Sequence, residues 1–210
     1  MDTKELIIET TRKLCNEHRA STVTTNHIAA AAGIRSGNLY YHFKNKESIV
    51  REIYFDMFQK ADELWYEPSF QTSEYGIVNY LVRLNTLLYE YRFCFRELNL
   101  VMSRDPELKS MYRARSVKLL AHINKTFDSW IAADMMKPFG SAEERRSVID
   151  NFHIGMLFWI SYVDLWDDEI TPKIISRGIR HFMLYFKPYF RPKVVRLIEK
   201  LLNSAVESAT

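Results

Sequence analysis

Residues 24–43 read TTNHIAAAAGIRSGNLYYHF. Ile28, Ala29 and Ala32 share one helical face, and Thr24 stands just before them, where a hydroxyl accepts from a free N–H of the first turn. Gly33 follows at the position where a left-handed residue ends a helix. Ile34 is an apolar plug for the turn. Ser36 is expected to cap a second short helix, which carries Leu39 and Phe43 at i and i+4 as its core stripe. Two brief helices meeting at a glycine-containing turn make a helix-turn-helix. The second helix turns Arg35, Ser36, Gly37, Asn38, Tyr40, Tyr41 and His42 away from that stripe.

These residue types suit double-stranded DNA. Asn38 can read an adenine edge, and Arg35 a guanine or a backbone phosphate. Tyr40, Tyr41 and His42 donate single hydrogen bonds to phosphate oxygens. Gly37 has no side chain, so the helix N-terminus can come close to the duplex, where exposed N–H groups favour phosphate. Thr24 and Thr25 ahead of it, and Lys46 after it, complete the expected DNA-binding set. Net charge is only +3, but residues 18–46 contain no Asp or Glu while holding Arg19, Arg35, Lys44, Lys46, His18, His27 and His42. With 26 acids in 210 residues, so long an acid-free stretch is uncommon by chance, and it suits a polyanion.

Outward from this stretch the chain reads as helices. A first helix is expected over about 3–18, with Leu6, Ile7, Thr10, Leu14 and Ala20 on one face. Asn45 caps a longer fourth helix, about 46–66, with Ile49, Ile53, Phe55 and Met57 as core candidates. Later helices are expected from Ser73 to about Tyr91, from about Phe95 to Ser103, from Asp105-Pro106 to about Met136, from a Ser141/Glu144 capping box to about Trp166, and from Thr171-Pro172 to about Lys187. An amphipathic segment, Val194 to Val206, closes the chain. Six glycines and six prolines, about half the average share, favour long helices over turn-rich β folds. The fold class is therefore all-α, and no strand alternation stands out.

Two cysteines, Cys15 and Cys94, read as buried free thiols of a reducing cytosol. The N-terminus is amphipathic and charged, without the apolar core of a signal peptide. The longest apolar run, Ile154 to Val163, is broken by Ser161 and falls far short of the roughly 20 residues a bilayer span needs. No membrane association is expected, and the expected location is the cytoplasm.

At residues 24–47 the sequence resembles the tetracycline-repressor (TetR) family of bacterial regulators. The pattern TxxxIAxxAGxxxGxLYYHFxxKE is filled by Thr24, Ile28, Ala29, Ala32, Gly33, Gly37, Leu39, Tyr40, Tyr41, His42, Phe43, Lys46 and Glu47. His27 departs from it, standing where the family often has an acidic residue that completes the cap. The resemblance implies nine or more helices, a homodimer, and a variable C-terminal part that binds a small molecule and alters DNA affinity. The implied organisation is a helix-turn-helix DNA-binding domain over 1–47 and a helical ligand-binding and dimerisation domain over 48–210. The implied function is a repressor released from a palindromic operator by a small-molecule effector.

In the C-terminal part, Phe152, Met156, Trp159, Val163 and Trp166 form one stripe, and Leu157, Phe158, Ile160 and Leu165 make the other faces apolar too. A helix apolar all round must be covered on all sides. The next helix, with Ile175, Ile179, Phe182 and Phe186, has the same character. Gly155 and Gly178 each cost roughly 1 kcal/mol against alanine inside a helix, which close helix approach offsets. These two helices are the expected dimer interface, a four-helix bundle with the partner, with ordinary intrachain core as the plainer alternative.

A ligand pocket is expected among the helices near 75–91, 95–103, 106–136 and 143–166. Tyr89, Phe93, Phe95, Trp130, Phe158 and Trp159 are its candidate lining, and Arg96, Asn99, Asn151 and His153 its polar groups; for each aromatic, plain core is the competing reading. Asp164, Asp167, Asp168 and Glu169 resemble a metal cluster, yet acids ahead of a helix N-terminus are favourable without metal. No metal or cofactor is expected. There is no HExxH, P-loop, GxSxG or Cys/His zinc pattern, so no enzyme is expected. A helical enzyme would need a second acidic motif to hold metal and diphosphate. A helical protein adaptor would leave the acid-free stretch and the Tyr-Tyr-His face unexplained.

Overall fold

The computed structural model describes residues 2–68, 73–166 and 169–207, and within them every side chain except those of Ile179 and residues 202–207. Eleven helices lie among the described residues: α1 Thr3–Glu17, α2 Thr25–Ala31, α3 Ser36–His42, α4 Lys46–Trp65, α5 Glu74–Glu90, α6 Arg92–Arg96, α7 Leu98–Arg104, α8 Pro106–Ala132, α9 Ala142–Val163, α10 Pro172–Phe186 and α11 Pro192–Glu207. No strand occurs among them, and one isolated bridge pairs Met136 with Phe190. The all-α reading holds.

Caps explain most of the boundaries. Asp2 accepts from Glu5 N at 2.7 Å while Glu5 accepts from Asp2 N at 2.9 Å, a full capping box for α1. Thr24, Asn45, Ser73, Asp105 and Thr171 each accept a backbone N–H of the helix they precede. Gly33 closes α2 at φ +66°, the left-handed conformation that costs other residues roughly 1–2 kcal/mol.

Four boundaries depart from expectation. Arg35, not Ser36, holds the cap position of α3, because its carbonyl already accepts from Asn38 and Leu39; Ser36 is helical and donates to Asn26 Oδ1 at 3.3 Å. The 95–103 segment is two short helices that break at Glu97, whose buried carboxylate is drawn to Ala20 N at 2.8 Å. The Ser141/Glu144 box is half made: Ser141 accepts from Glu144 N, but Glu144 turns to Gly140 N and to the Tyr189 hydroxyl. Finally, α8 stops at Ala132 rather than near Met136. Asp134 adopts φ 55°, and Met135 and Met136 leave the helix to bury their side chains beside residues 189–191, with Lys137 N donating to Tyr189 O and Arg191 N to Met135 O.

The head, α1–α3 with the first turns of α4, closes over Ile7, Val23, Ile28, Ala29, Leu39, Phe43 and Ile49, all buried. α4 continues into the body, where Ile53, Tyr54, Met57, Phe58, Leu64 and Trp65 are buried. Polar ties fasten α1 to the body. Asn16 donates to Glu90 O and accepts from Phe93 N. Arg12 donates to Glu90 O, and Arg19 pairs with Asp164 at 2.7 Å. Cys15 and Cys94 are free and buried; burial first, then the Glu97 carboxylate, push the Cys15 thiol up to about 12.

α9 and α10 pack tightly within one chain. A Cβ on Gly155 would lie 2.5 Å from Phe182, and one on Gly178 would lie 2.2 Å from Trp159 Nε1. The close approach expected at these glycines is thus intrachain. The outer face of the pair stays uncovered: Ile154, Phe158 and Tyr162, then Leu165 and Trp166 at the end of α9, and Leu184 and Tyr185 on α10 are exposed.

Candidate nucleic-acid interface and apolar cavity

α2 and α3 pack against each other through Ile28, Ala29 and Leu39, which leaves the opposite side of α3 to solvent. Arg35, Ser36, Gly37, Asn38, Tyr40 and Tyr41 are exposed there, and His42 is half-buried with its ring edge-on to Tyr41 at 5.1 Å. Tyr41 is 84% exposed, too bare for a tyrosine with a packing role. The Tyr40 hydroxyl lies 3.0 Å from Thr25 Oγ1, so Thr25 fixes the pose of Tyr40. Thr24 accepts from His27 N, and His27 Nδ1 accepts from Thr24 N at 3.4 Å. An imidazole thus completes the cap that an acid was expected to supply, and the surface keeps its freedom from negative charge.

Gly37 differs from Gly33, Gly140, Gly155 and Gly178. Its φ is ordinary, and a Cβ there would meet nothing within 4 Å. Nothing in the fold asks for glycine. Lys46 departs from expectation in another way. Its ammonium turns inward and donates to Ala20 O at 2.7 Å and Val23 O at 2.9 Å, carbonyls of the irregular link after α1 that no helix satisfies. It braces the head from within. Of the other cations in the stretch, Arg19 is spent on Asp164, whereas Arg35 and Lys44 form no ion pair among the described residues.

The body contains an apolar cavity in two lobes that share a wall. One lobe, of about 80 Å³, lies against α4 through Met57, Phe58, Ala61 and Trp65 and reaches Tyr112, Arg115 and Ser116 of α8 and His153 of α9. The other, of about 40 Å³, lies among Phe127, Trp130, Phe182, Phe186 and Phe190. Trp65, Tyr80, Leu84, Ile123, Phe152 and Met156 border both lobes. Burial holds the His153 imidazole below its ordinary 6.5, against the weaker pull of Asp150.

Three of the ten residues expected at a pocket line this cavity: Phe95, Trp130, stacked near Phe127, and His153. Arg96 instead closes the C-terminus of α1, donating to Cys15 O and His18 O. Tyr89 lies under the Arg92 guanidinium at 4.4 Å. Asn99 and Asn151 are exposed, and Phe158 belongs to the uncovered outer face. Trp159 is taken up by Gly178 and by His181, stacked at 5.7 Å. No group of three potential metal ligands occurs among the described residues; Asp167 and Asp168 lie outside them, and Asp164 is held by Arg19. No described helix is long and apolar enough to cross a membrane.

A family profile described as bacterial regulatory proteins, tetR family, matches residues 7–53, and a second, TetR, bacterial transcriptional repressor, matches residues 59–197. The chain belongs to the TetR family of transcriptional regulators. Its head is the family's DNA-binding helix-turn-helix. Among solved structures, a TetR-family regulator from Marinobacter aquaeolei VT8 is similar over 96% of this chain and 99% of its own, at 29% identity and a TM-score of 0.85. SmeT, the repressor of the Stenotrophomonas maltophilia multidrug efflux pump SmeDEF, shares the fold at 16% identity over 92% of this chain and 93% of its own, with a TM-score of 0.61. So does SmeT in complex with triclosan, at 17% identity over 91% and 93%, with a TM-score of 0.59. No curated protein matches the sequence significantly.

What sequence reading missed in this TetR-family body is the inner face of α8. Leu108, Tyr112, Arg115, Leu119, Ile123, Thr126 and Trp130 follow one another at steps of three and four. An arginine inside such a stripe is the signal that was available.

Proposed function

We propose that this TetR-family regulator is a repressor that works as a homodimer, reads a palindromic operator with two copies of α3, and leaves it when a small molecule fills the body. Residues 1–47 form the DNA-binding unit and residues 48–210 the ligand-binding and dimerisation unit. Asn38 reads a base edge, Arg35 a guanine or a phosphate, and Thr24, Thr25, Ser36, Tyr40, Tyr41 and His42 bond the sugar-phosphate backbone. Gly37 lets the backbone of α3 come close. Lys46 is left out of this set because its ammonium serves the head. The protein regulates by binding, not by catalysis, and works in the cytoplasm.

The observation that carries this reading is one helix serving both ends. α4 lies under the helix-turn-helix head at Ile49 and Val50 and walls the cavity with Met57, Phe58, Ala61 and Trp65. A molecule entering the cavity presses on α4, and tilting α4 moves the two heads out of step with successive major grooves. The uncovered apolar face of α9 and α10 supports the homodimer, since exposed patches of this kind mark interfaces. That the similarly folded SmeT is a repressor with a triclosan complex supports release by a small apolar effector. An electrophoretic shift with DNA from upstream of the chain's own gene tests the reading. A retarded band that survives excess nonspecific DNA is expected; none at any nearby intergenic fragment overturns it.

A further inference from the structure

The two lobes of the cavity have an uneven chemistry. The lobe past Trp130 carries no charged residue, and the lobe against α4 carries one, Arg115, with no Asp or Glu. Arg115 is committed to α4. Its Nη2 donates to Phe58 O at 2.9 Å and to the Asp62 carboxylate, and its guanidinium lies over the Phe58 ring at 4.9 Å. Its Nε is buried and without a partner. A buried donor left unpaired keeps the cost of its desolvation until an acceptor arrives. Nε and Nη2 lie on the same edge of a guanidinium, the edge that takes a carboxylate with two parallel hydrogen bonds. An incoming carboxylate that satisfies Nε therefore competes for Nη2, whose acceptors are now Phe58 O and Asp62, and of the two Asp62 is the side chain that can yield. The Asp62 side chain is 48% exposed, so it can return to water cheaply.

We propose that the cavity takes an apolar molecule bearing one carboxylate, that Arg115 anchors it through Nε and Nη2, and that seating it draws the guanidinium away from Asp62 of α4. The inference deepens the effector-release reading and rests on it only for its consequence at DNA. A cationic ligand is opposed, because Arg115 would face it across a cavity with no acid. A neutral hydrocarbon leaves Nε unpaired. The apolar lobe takes the body of the ligand, opening as it fills, and the Arg115 lobe its head, beside His153 and Ser116.

Calorimetric titration of the DNA-free protein with decanoate and with decan-1-ol, each below its aggregation limit, tests this. Decanoate should bind at least tenfold more tightly than decan-1-ol, the lower end expected for a buried charged hydrogen bond. Arg115→Met should erase that preference. Asp62→Asn should tighten decanoate several-fold by removing its competitor, an effect that a merely structural role for Arg115 does not produce. Equal binding of the two probes by the wild-type protein overturns the proposal without any variant, as does no binding of either. If Arg115→Met fails to fold, Arg115→Lys should retain only part of the preference; an undiminished preference overturns the pairing. Operator affinity measured with and without decanoate separates this claim from the earlier one. Arg115-dependent binding with unchanged operator affinity upholds the site and sinks effector release by this ligand class.

Discussion

Gly37→Ala separates what the fold needs from what DNA needs. The added methyl meets no atom within 4 Å and the backbone φ is ordinary, so folding has no reason to resist it. Position 37 is the second residue of α3, where replacing glycine by alanine stabilises a helix by about 0.5–1 kcal/mol. In a chain of 210 residues that raises the melting temperature by roughly 1–4 °C. At the operator the same methyl stands between α3 and the duplex. Holding the helix off by about the length of a C–C bond breaks at least one backbone contact to phosphate, worth about 1.4 kcal/mol or more, so affinity should fall by about tenfold or more. Thermal unfolding and fluorescence anisotropy on labelled operator give the two numbers. Unchanged affinity in the stabilised variant would refute the claim that α3 meets DNA at Gly37.

Lys46→Ala should lower stability by about 1–2 kcal/mol, since two carbonyls lose a charged donor at a half-buried site; a melting temperature unchanged by the substitution, with a salt slope of DNA binding reduced by a full charge per subunit, would return Lys46 to the phosphate contacts. Gly178→Ala should destabilise by about 1–3 kcal/mol despite alanine's better helix propensity, because the new Cβ strikes the Trp159 indole; a higher melting point would show that α9 and α10 are not packed this closely. Burial holds His153 below 6.5 when folded, so below about pH 6.5 the unfolded chain binds a proton the folded chain refuses. Stability should therefore fall as pH drops through 6.5, and His153→Gln should flatten that fall in a pH series of melting curves; identical profiles would remove His153 as its source.

The head was legible from local signals. Thr24, Gly33 and Asn45 act within one turn of themselves, and a cap or a left-handed glycine needs no knowledge of the rest of the chain. Ser36 misled because Arg35, which can cap nothing with its side chain, takes the position through its carbonyl alone. In the body, helix starts were readable where Asp105-Pro106 and Thr171-Pro172 mark them. The end of α8 was not, because Met135 and Met136 leave the helix to meet residues 189–191, more than fifty positions away. The cavity lining was the least legible part. Phe158 and Trp159 are adjacent in sequence, and helical geometry sends one to the outer face and the other into the α9–α10 contact. Arg96 and Lys46 carry charges that sequence reading assigns to ligands, while the fold assigns both to bare carbonyls near the end of α1. Such carbonyls are visible only once the loops are placed.

The central claim is that two copies of α3 read one operator. Hydroxyl-radical footprinting of the protein on DNA from upstream of its own gene tests it most directly. The account predicts two protected half-sites related by a palindrome, with centres about 34–36 Å apart or at a somewhat longer spacing, and loss of both together when Asn38 and Tyr41 are replaced by alanine. A single unpaired half-site at protein concentrations where the dimer persists, or protection unaltered by those replacements, would contradict it.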